Sequence, residues 1–360
     1  MKRVLDYVLK RPRCAYLIVI LVLLGACGGW LLYANAPVGG DLKPVIVVVP
    51  EGATALGAGG RLEAAGLVRS GWGFAVVARL TGAASKIKPG VYEFSRAMSA
   101  RLMLDKLVRG EVAAVWVTIP EGFTVRQIAD RLAARKLVNR DEFLALARSG
   151  AKDFRGVLDI PGSGLEGYLF PATYLISFKT SAREVLEEML KTFRSKAAKP
   201  YAAEIGRVAA SGNGESNAAA LSRIVIVASM IEREAKLDED RPLISAVIWN
   251  RLRLGMKLDI DATVQYGLGG HRPRLFYGDL AADTPYNTYL HAGLPPGPIS
   301  NPGLASFRAA LRPAKAGFLY YVARPDGSHI FSRTLQEHNA AKKRVREEAA
   351  AAGGQRGVGQ

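Results

Sequence analysis

The apolar positions of this chain fall into runs of different period. Residues 14–34, CAYLIVILVLLGACGGWLLYA, carry no charge, and about 20 such residues suffice to cross a hydrocarbon core. A short Pro/Gly linker is expected at 35–43. Two β-rich runs, VIVVV and VWVTI, then each lead into Pro-Glu-Gly-x-Thr and a helical period. PEGATALGAGGRLEAAGLV at 50–68 aligns without gaps on PEGFTVRQIADRLAARKLV at 120–138. In both copies the Thr is a natural N-cap, its hydroxyl placed to accept from an orphan first-turn amide. Strand, turn and capped helix, met twice, predict two related small α+β pieces. Between the copies, KPGVYEFSRAMSARLMLDKLVRG predicts a turn, a strand over 91–94 and an amphipathic helix. Residues 140–195 predict helices around the loop GSGLEGYLFPATY, and 216–256 predict two more. From there to about 302, Gly, Pro, Asn and Asp break every long period, and loops of that length are uncommon unless functional. Two strands around Pro325-Asp326-Gly327 and a helix from Leu335 follow. The last residues, Ala-rich and then Gly/Gln-rich, are expected to be disordered.

The flanks of the first run give it an orientation. Lys2, Arg3, Lys10, Arg11 and Arg13 stand upstream, so the positive-inside bias keeps a short tail in the cytoplasm and sends the rest of the chain across the membrane. A cleaved signal peptide and a lipoprotein are the alternatives, the latter because Leu24-Gly25-Ala26-Cys27 loosely resembles a lipobox. The apolar run continues through Trp30-Leu31-Leu32, which favours a retained anchor over either. Both cysteines, Cys14 and Cys27, lie in this segment. The exported part therefore has no disulfide, thiol nucleophile or thiolate metal site. A formal charge of +17 suits a polyanionic partner such as phospholipid head groups or a cell-wall polymer. No basic block interleaved with aromatics marks a nucleic-acid face.

Several familiar chemistries are excluded by spacing. Gly162-Ser163-Gly164-Leu165-Glu166-Gly167 matches a dinucleotide fingerprint in letters, but Pro161 precedes it and Phe170-Pro171 follow before a helix could open. The histidines His271, His291, His329 and His338 show no metal-ligand spacing, so no metal or cofactor is expected. A Gly-x-Ser-x-Gly elbow is absent. More promising is VASMIEREA at 227–235. On a helical wheel Ile224, Val227, Ala228, Ile231 and Ala235 form one apolar stripe, with Ser229, Arg233 and Lys236 on polar or adjoining sides. Glu232 and Glu234 fall at its two edges. The ordinary reading is an i,i+4 ion pair from Glu232 to Lys236. The other is a general acid, because a carboxyl bordered by apolar groups holds its proton to higher pH. The wheel alone permits either acid.

Downstream, amides, hydroxyls and rings sit on Pro/Gly loops in the manner of a sugar site. These segments resemble the membrane-anchored endolytic murein transglycosylases, the YceG-like family, over nearly the whole chain. The matching stretches are LEGYLFPATY (165–174), ASMIEREA (228–235), NRLRLGMKLDIDATVQYGLG (250–269), TPYNTY (284–289) and GLPPGPISNPG (293–303). Ala262 stands where a Pro is usual, and the loop 271–283 is idiosyncratic.

The resemblance implies an α+β architecture with a single transmembrane helix, a small LysM-like domain and a mixed α+β catalytic domain. The expected boundaries are a cytoplasmic tail over 1–13, the span at 14–34, the linker at 35–43, the LysM-like domain over 44–116, the catalytic domain over 117–345 and a tail over 346–360. It also implies that Glu232 is the catalytic acid, with Gln265, Tyr286 and Asn287, then Glu166 and Tyr168, contacting substrate. Glu234 is expected behind the site or at the surface, and Asp261 is expected to order the loop before Gln265. The expected substrate is a peptidoglycan glycan strand, met at the outer face of the cell inner membrane beside the synthases. Ordinary glycosidases need two carboxyl groups. A lytic transglycosylase uses one, since the muramyl 6-hydroxyl attacks its own C1. A wall-binding scaffold without catalysis is the alternative.

Overall fold

The computed structural model describes residues 12–162, 164–211, 214–270, 272 and 275–355. Residues 1–11 of the expected tail, and His271, lie outside the described residues. The chain divides into two compact units, Met1–Trp116 with Leu175–Phe178, and Val117–Tyr174 with Lys179–Gln360.

The first unit opens with α1 (Pro12–Asn35) and continues β1 (Val45–Val49), α2 (Ala55–Ala64), α3 (Gly71–Leu80), β2 (Gly90–Phe94), α4 (Ala100–Arg109) and the start of β3 (Ala114–Thr118). Strands β1 and β2 are antiparallel, pairing Val47 with Tyr92. Val47, Val49, Leu62, Phe74, Tyr92, Phe94, Met103 and Leu107 meet in one core. Along α1, Val19 to Leu24 are all exposed. Its far end is fastened, because Ala34 is buried and Arg69 donates to the carbonyls of Tyr33, Ala36 and Pro37 at 3.1, 2.7 and 2.9 Å. Among the described residues no helix is long and apolar enough to cross a membrane, so the expected span at 14–34 is not borne out by the structure. The side chains of residues 12–15 and 18 are outside the described set.

The second unit contains α5 (Val125–Ala134), α6 (Arg140–Ser149), the start of β4 (Thr173–Ser177), α7 (Ala182–Phe193), α8 (Ala202–Ser211), α9 (Asn217–Glu234), α10 (Arg241–Arg253), α11 (Asp261–Gly267), α12 (Tyr277–Leu280), α13 (Leu304–Leu311), β5 (Tyr320–Ala323), β6 (His329–Ser332) and α14 (Leu335–Gln355). The sheet order β1-β2-β3-β4 places the return segment 175–177 at the edge of the first unit's sheet. That strand was not predicted, because FPATYLIS reads as the end of a loop. The GSGLEG stretch makes turns and opens no helix.

Helix α9 is the axis of this unit, packed by α8, α10, α11 and α13. Its apolar surface is not the single stripe expected. Ile224, Val225, Val227, Ala228, Met230 and Ile231 are all 0% exposed, and so is Ser229. A helix enclosed on every side has no solvent face to keep polar. Ser229 is satisfied locally: its hydroxyl donates to the Ile226 carbonyl at 2.7 Å and accepts from the Ile299 amide at 3.0 Å. At the end of the chain, α14 runs through the alanine stretch to Gln355. Alanine is the strongest helix former, so the disorder expected from 346 is not seen before residues 356–360, which lie outside the described set.

Candidate active site

Three loops converge on the last turns of α9. The first is the second Pro-Glu-Gly-x-Thr turn. The Thr124 hydroxyl caps α5 by accepting from the Gln127 amide at 3.2 Å, while the Gln127 side chain accepts from the Thr124 amide at 2.9 Å. The second is LEGYLF, whose Gly167 has φ +88° and passes so close to α9 that a Cβ would lie 2.6 Å from Pro298 and 2.7 Å from Val225. The third is GLPPGPISNPG, pinned to α9 by Ser229 and by the Ser300 hydroxyl, which donates to the Ser229 carbonyl at 3.2 Å.

Asn301 ties all three together. It is fully buried. Its side-chain amide donates to the Phe123 carbonyl at 2.9 Å and to Glu166 Oε1 at 2.8 Å, and its Oδ1 accepts from the Leu169 amide at 2.8 Å. Its backbone completes the seam: the Gly122 amide donates to its carbonyl and its own amide donates to Phe123.

Glu232 is held by one oxygen. Its Oε2 accepts from the Gly303 amide at 3.0 Å, the Ser306 hydroxyl at 2.7 Å and the Arg241 guanidinium at 3.5 Å. No hydrogen bond from a described residue falls on Oε1, and the side chain is 8% exposed. Arg241 also donates to Ser306 and binds Asp238 at 2.8 Å. The expected Glu232–Lys236 pair is absent among the described ion pairs; the Lys236 stem lies along Gly327 instead. Polar donors, not the apolar border expected from the wheel, surround the carboxyl. A second acid stands close by. A methyl at Gly303 would run into the Glu121 carboxyl, so Glu121 and Glu232 flank the same glycine. Burial, and then the charge of Glu232, push the Glu121 carboxyl above its ordinary range.

The other expected residues separate into wall and brace. A cavity of about 660 Å³ is lined by Glu166, Tyr168, Gln265 and Tyr286 among others. Tyr286 leans on Tyr266, ring centroids 4.8 Å apart. Gln265, part-buried at the centre of α11, donates to the Arg272 carbonyl at 3.4 Å. Tyr168 is nearly closed off at 2% exposure, edge-on to Phe193. Glu166 accepts from the Val125 amide at 3.0 Å and from the Tyr266 hydroxyl at 3.1 Å, in addition to Asn301. Burial pushes its carboxyl up to about 7 against those bonds. Asn287 does not line this cavity. It is 0% exposed, donates to the Leu280 and Ala282 carbonyls at 2.9 and 2.8 Å, and accepts from the Tyr289 amide at 2.9 Å. It braces the TPYNTY loop. Asp261 starts α11 and accepts from the Tyr289 hydroxyl at 2.6 Å.

Glu234 is not a surface group. It is part-buried, accepts from the Tyr321 hydroxyl at 3.2 Å, and is pushed up to about 7 by burial. Glu121, Arg241, Asn301 and Ser306 were not singled out from the sequence. Only Glu121 carried a usable signal, its place in the repeated turn.

The chain belongs to the YceG-like family, whose pattern matches residues 47–344. It is 33% identical over 335 residues to a Bacillus subtilis (strain 168) protein named endolytic murein transglycosylase, covering 88% of this chain and 90% of that one. A Streptococcus pneumoniae (strain D39) protein of the same name is 30% identical over 357 residues, 89% of this chain but 63% of the relative's own length. The fold is similar to the crystal structure of a yceG-like protein from Listeria monocytogenes, with a TM-score of 0.56 and 33% identity over 84% of this chain and 100% of that one.

Proposed function

We propose that this chain is an endolytic lytic transglycosylase of peptidoglycan. It cleaves the β-1,4 bond from N-acetylmuramic acid to N-acetylglucosamine without water and leaves a 1,6-anhydro end. The observation that carries the reading is the one-sided anchoring of Glu232. Three donors fix Oε2, which leaves Oε1 to work on a substrate. In its protonated form Glu232 gives a proton to the glycosidic oxygen as the C1–O bond breaks. The carboxylate so formed takes the proton of the muramyl 6-hydroxyl while that oxygen closes on C1. The attack is intramolecular, so proximity replaces the second carboxyl of an ordinary glycosidase. Gln265 and Tyr286 on the cavity wall position the sugars, Glu166 and Tyr168 shape the floor, and Asn287 acts through the loop it braces.

The uncharged stretch at 14–34, with basic residues upstream, supports anchoring in the cell inner membrane with both units outside. There the enzyme meets nascent strands beside their synthases and sets their length. The β1-α2-α3-β2 order of the first unit supports reading it as the LysM-like module.

The test is to incubate the full-length chain in detergent with sacculi and weigh the released fragments by mass spectrometry. Anhydro-ended fragments are expected, and Glu232→Gln lowers their rate by about 100-fold or more. Reducing ends would make it a hydrolase, binding without cleavage a scaffold, and full activity of Glu232→Gln would move the acid elsewhere.

A further inference from the structure

The cavity wall holds a feature that sugar hydroxyls do not require. Arg126 in the first turn of α5, Arg148 in the last turn of α6 and Arg233 at the end of α9 all line it. All three residues are exposed. Among the described residues none of the three forms an ion pair, although arginines elsewhere in the unit do, as Arg140 with Asp130, Arg251 with Asp259 and Arg312 with Glu204. Glu166 is the acid of the cavity wall, and its oxygens are occupied by the Val125 amide, Tyr266 and Asn301. Burial, and then the charge of Glu166, push the Tyr266 hydroxyl well above its ordinary range, and the nearby Arg126 guanidinium acts in the opposite sense. Arg233 runs along Gly122, its Cδ and Nη1 each 3.9 Å from the place of a Cβ there, with Glu232 Cγ 3.5 Å from the same point. The positive wall thus begins beside Glu232 and continues into the cavity.

We propose that Arg126, Arg148 and Arg233 form a subsite for the carboxylates of the peptide stem carried by a muramyl residue. This rests on the glycan-strand reading above and adds a requirement to it. A guanidinium presents paired donors at the spacing of a carboxylate. A set of three in one concave wall, none of them in an ion pair among the described residues, favours an anionic ligand over a bare sugar chain. In a stem-bearing strand the carboxylates are those of the stem, since the muramyl lactyl carboxyl is held in the amide that joins it.

The experiment compares strands bearing stems, the same strands with stems removed and the freed lactyl carboxylates amidated, and strands whose stem carboxylates are amidated. It uses the full-length chain and the variants Arg126→Gln and Arg148→Gln; Arg233 is left intact because it adjoins Glu232. Each variant is expected to raise KM for stem-bearing strands about tenfold with kcat retained, and to leave KM for stripped and amidated strands unchanged. Equal KM changes on all three substrates, or no change on any, would overturn the subsite. The same comparison of Kd in the Glu232→Gln background tests the subsite without turnover. A parent chain that cleaves none of the strands would refute the transglycosylase reading, while those Kd values still decide the subsite.

Discussion

The two Pro-Glu-Gly-x-Thr turns are one backbone device in two settings. Gly52 and Gly122 sit at φ +73° and +74°. Thr54 accepts from the Gly57 amide at 3.1 Å, as Thr124 does from Gln127 at 3.2 Å. Both helices close alike, with Leu67 donating to Leu62 and Leu137 to Leu132. The residue before each closing leucine is left-handed, Gly66 at φ +66° and Lys136 at +57°. What differs is the company. A Cβ at Gly52 would meet nothing within 4 Å, whereas at Gly122 it would touch Glu232 and Arg233. Glu51 is exposed, while Glu121 shares Gly303 with Glu232. The motif specifies a turn and a capped helix, and the partners brought to it by the tertiary fold decide whether it serves chemistry.

The largest difference expected between the regions lies in their response to pH. Glu166 and Glu234 are raised from 4.5 to about 7. A carboxyl with a raised folded pKa binds its proton more tightly when folded. Its contribution is therefore complete below about pH 4.5 and is lost as pH rises through about 7. The loss is at most on the order of 3 kcal/mol per group, reduced by solvent screening. Hydrogen exchange, corrected for intrinsic rates, should show protection of α9 falling over that window while α2 stays level, and Glu234→Gln should flatten the slope. An identical slope in α2 would break the contrast.

Next comes the glutamate of the turn itself. Glu121→Gln is expected to lower kcat about tenfold, or ~1.4 kcal/mol, with a shifted pH profile, whereas Glu51→Gln changes neither. Equal effects would mean that Glu121 matters only to the turn. The smallest effect tests the left-handed residue that follows each helix. Gly66→Ala should cost about 1 kcal/mol by denaturant titration, and Lys136→Gly should gain about 0.5 kcal/mol because glycine adopts that conformation without a Cβ penalty. A loss at Lys136→Gly would show that its side chain holds something the backbone does not.

Much of this was legible in the sequence where the cause is local. The strand-turn-helix repeat, its threonine caps, the helices over 217–234 and 241–253 and the hairpin at 320–332 follow from period and capping. Glu232 was reached through a family pattern, since the wheel could not choose between it and Glu234. The surroundings of Glu232 were not legible, because Gly303 and Ser306 lie more than 70 positions away. Neither was the enclosure of α9: a serine in a helical period is ambiguous until the loop that satisfies it is known. The bracing place of Asn287 is not legible either, for a related reason. An amide in a Pro/Gly loop can face a ligand or hold the loop, and its carbonyl partners at 280 and 282 have no sequence signature.

The bonds of Asn301 reach back 178, 135 and 132 positions, to Phe123, Glu166 and Leu169. Closures of that span come late in folding, since their chain entropy must be met before they return any contact energy. During synthesis the turn at 120–124 and the loop at 165–170 leave the ribosome long before the residue that joins them. The cleft therefore has no working form in a nascent chain, and the order of synthesis delays activity until nearly the whole second unit has been made.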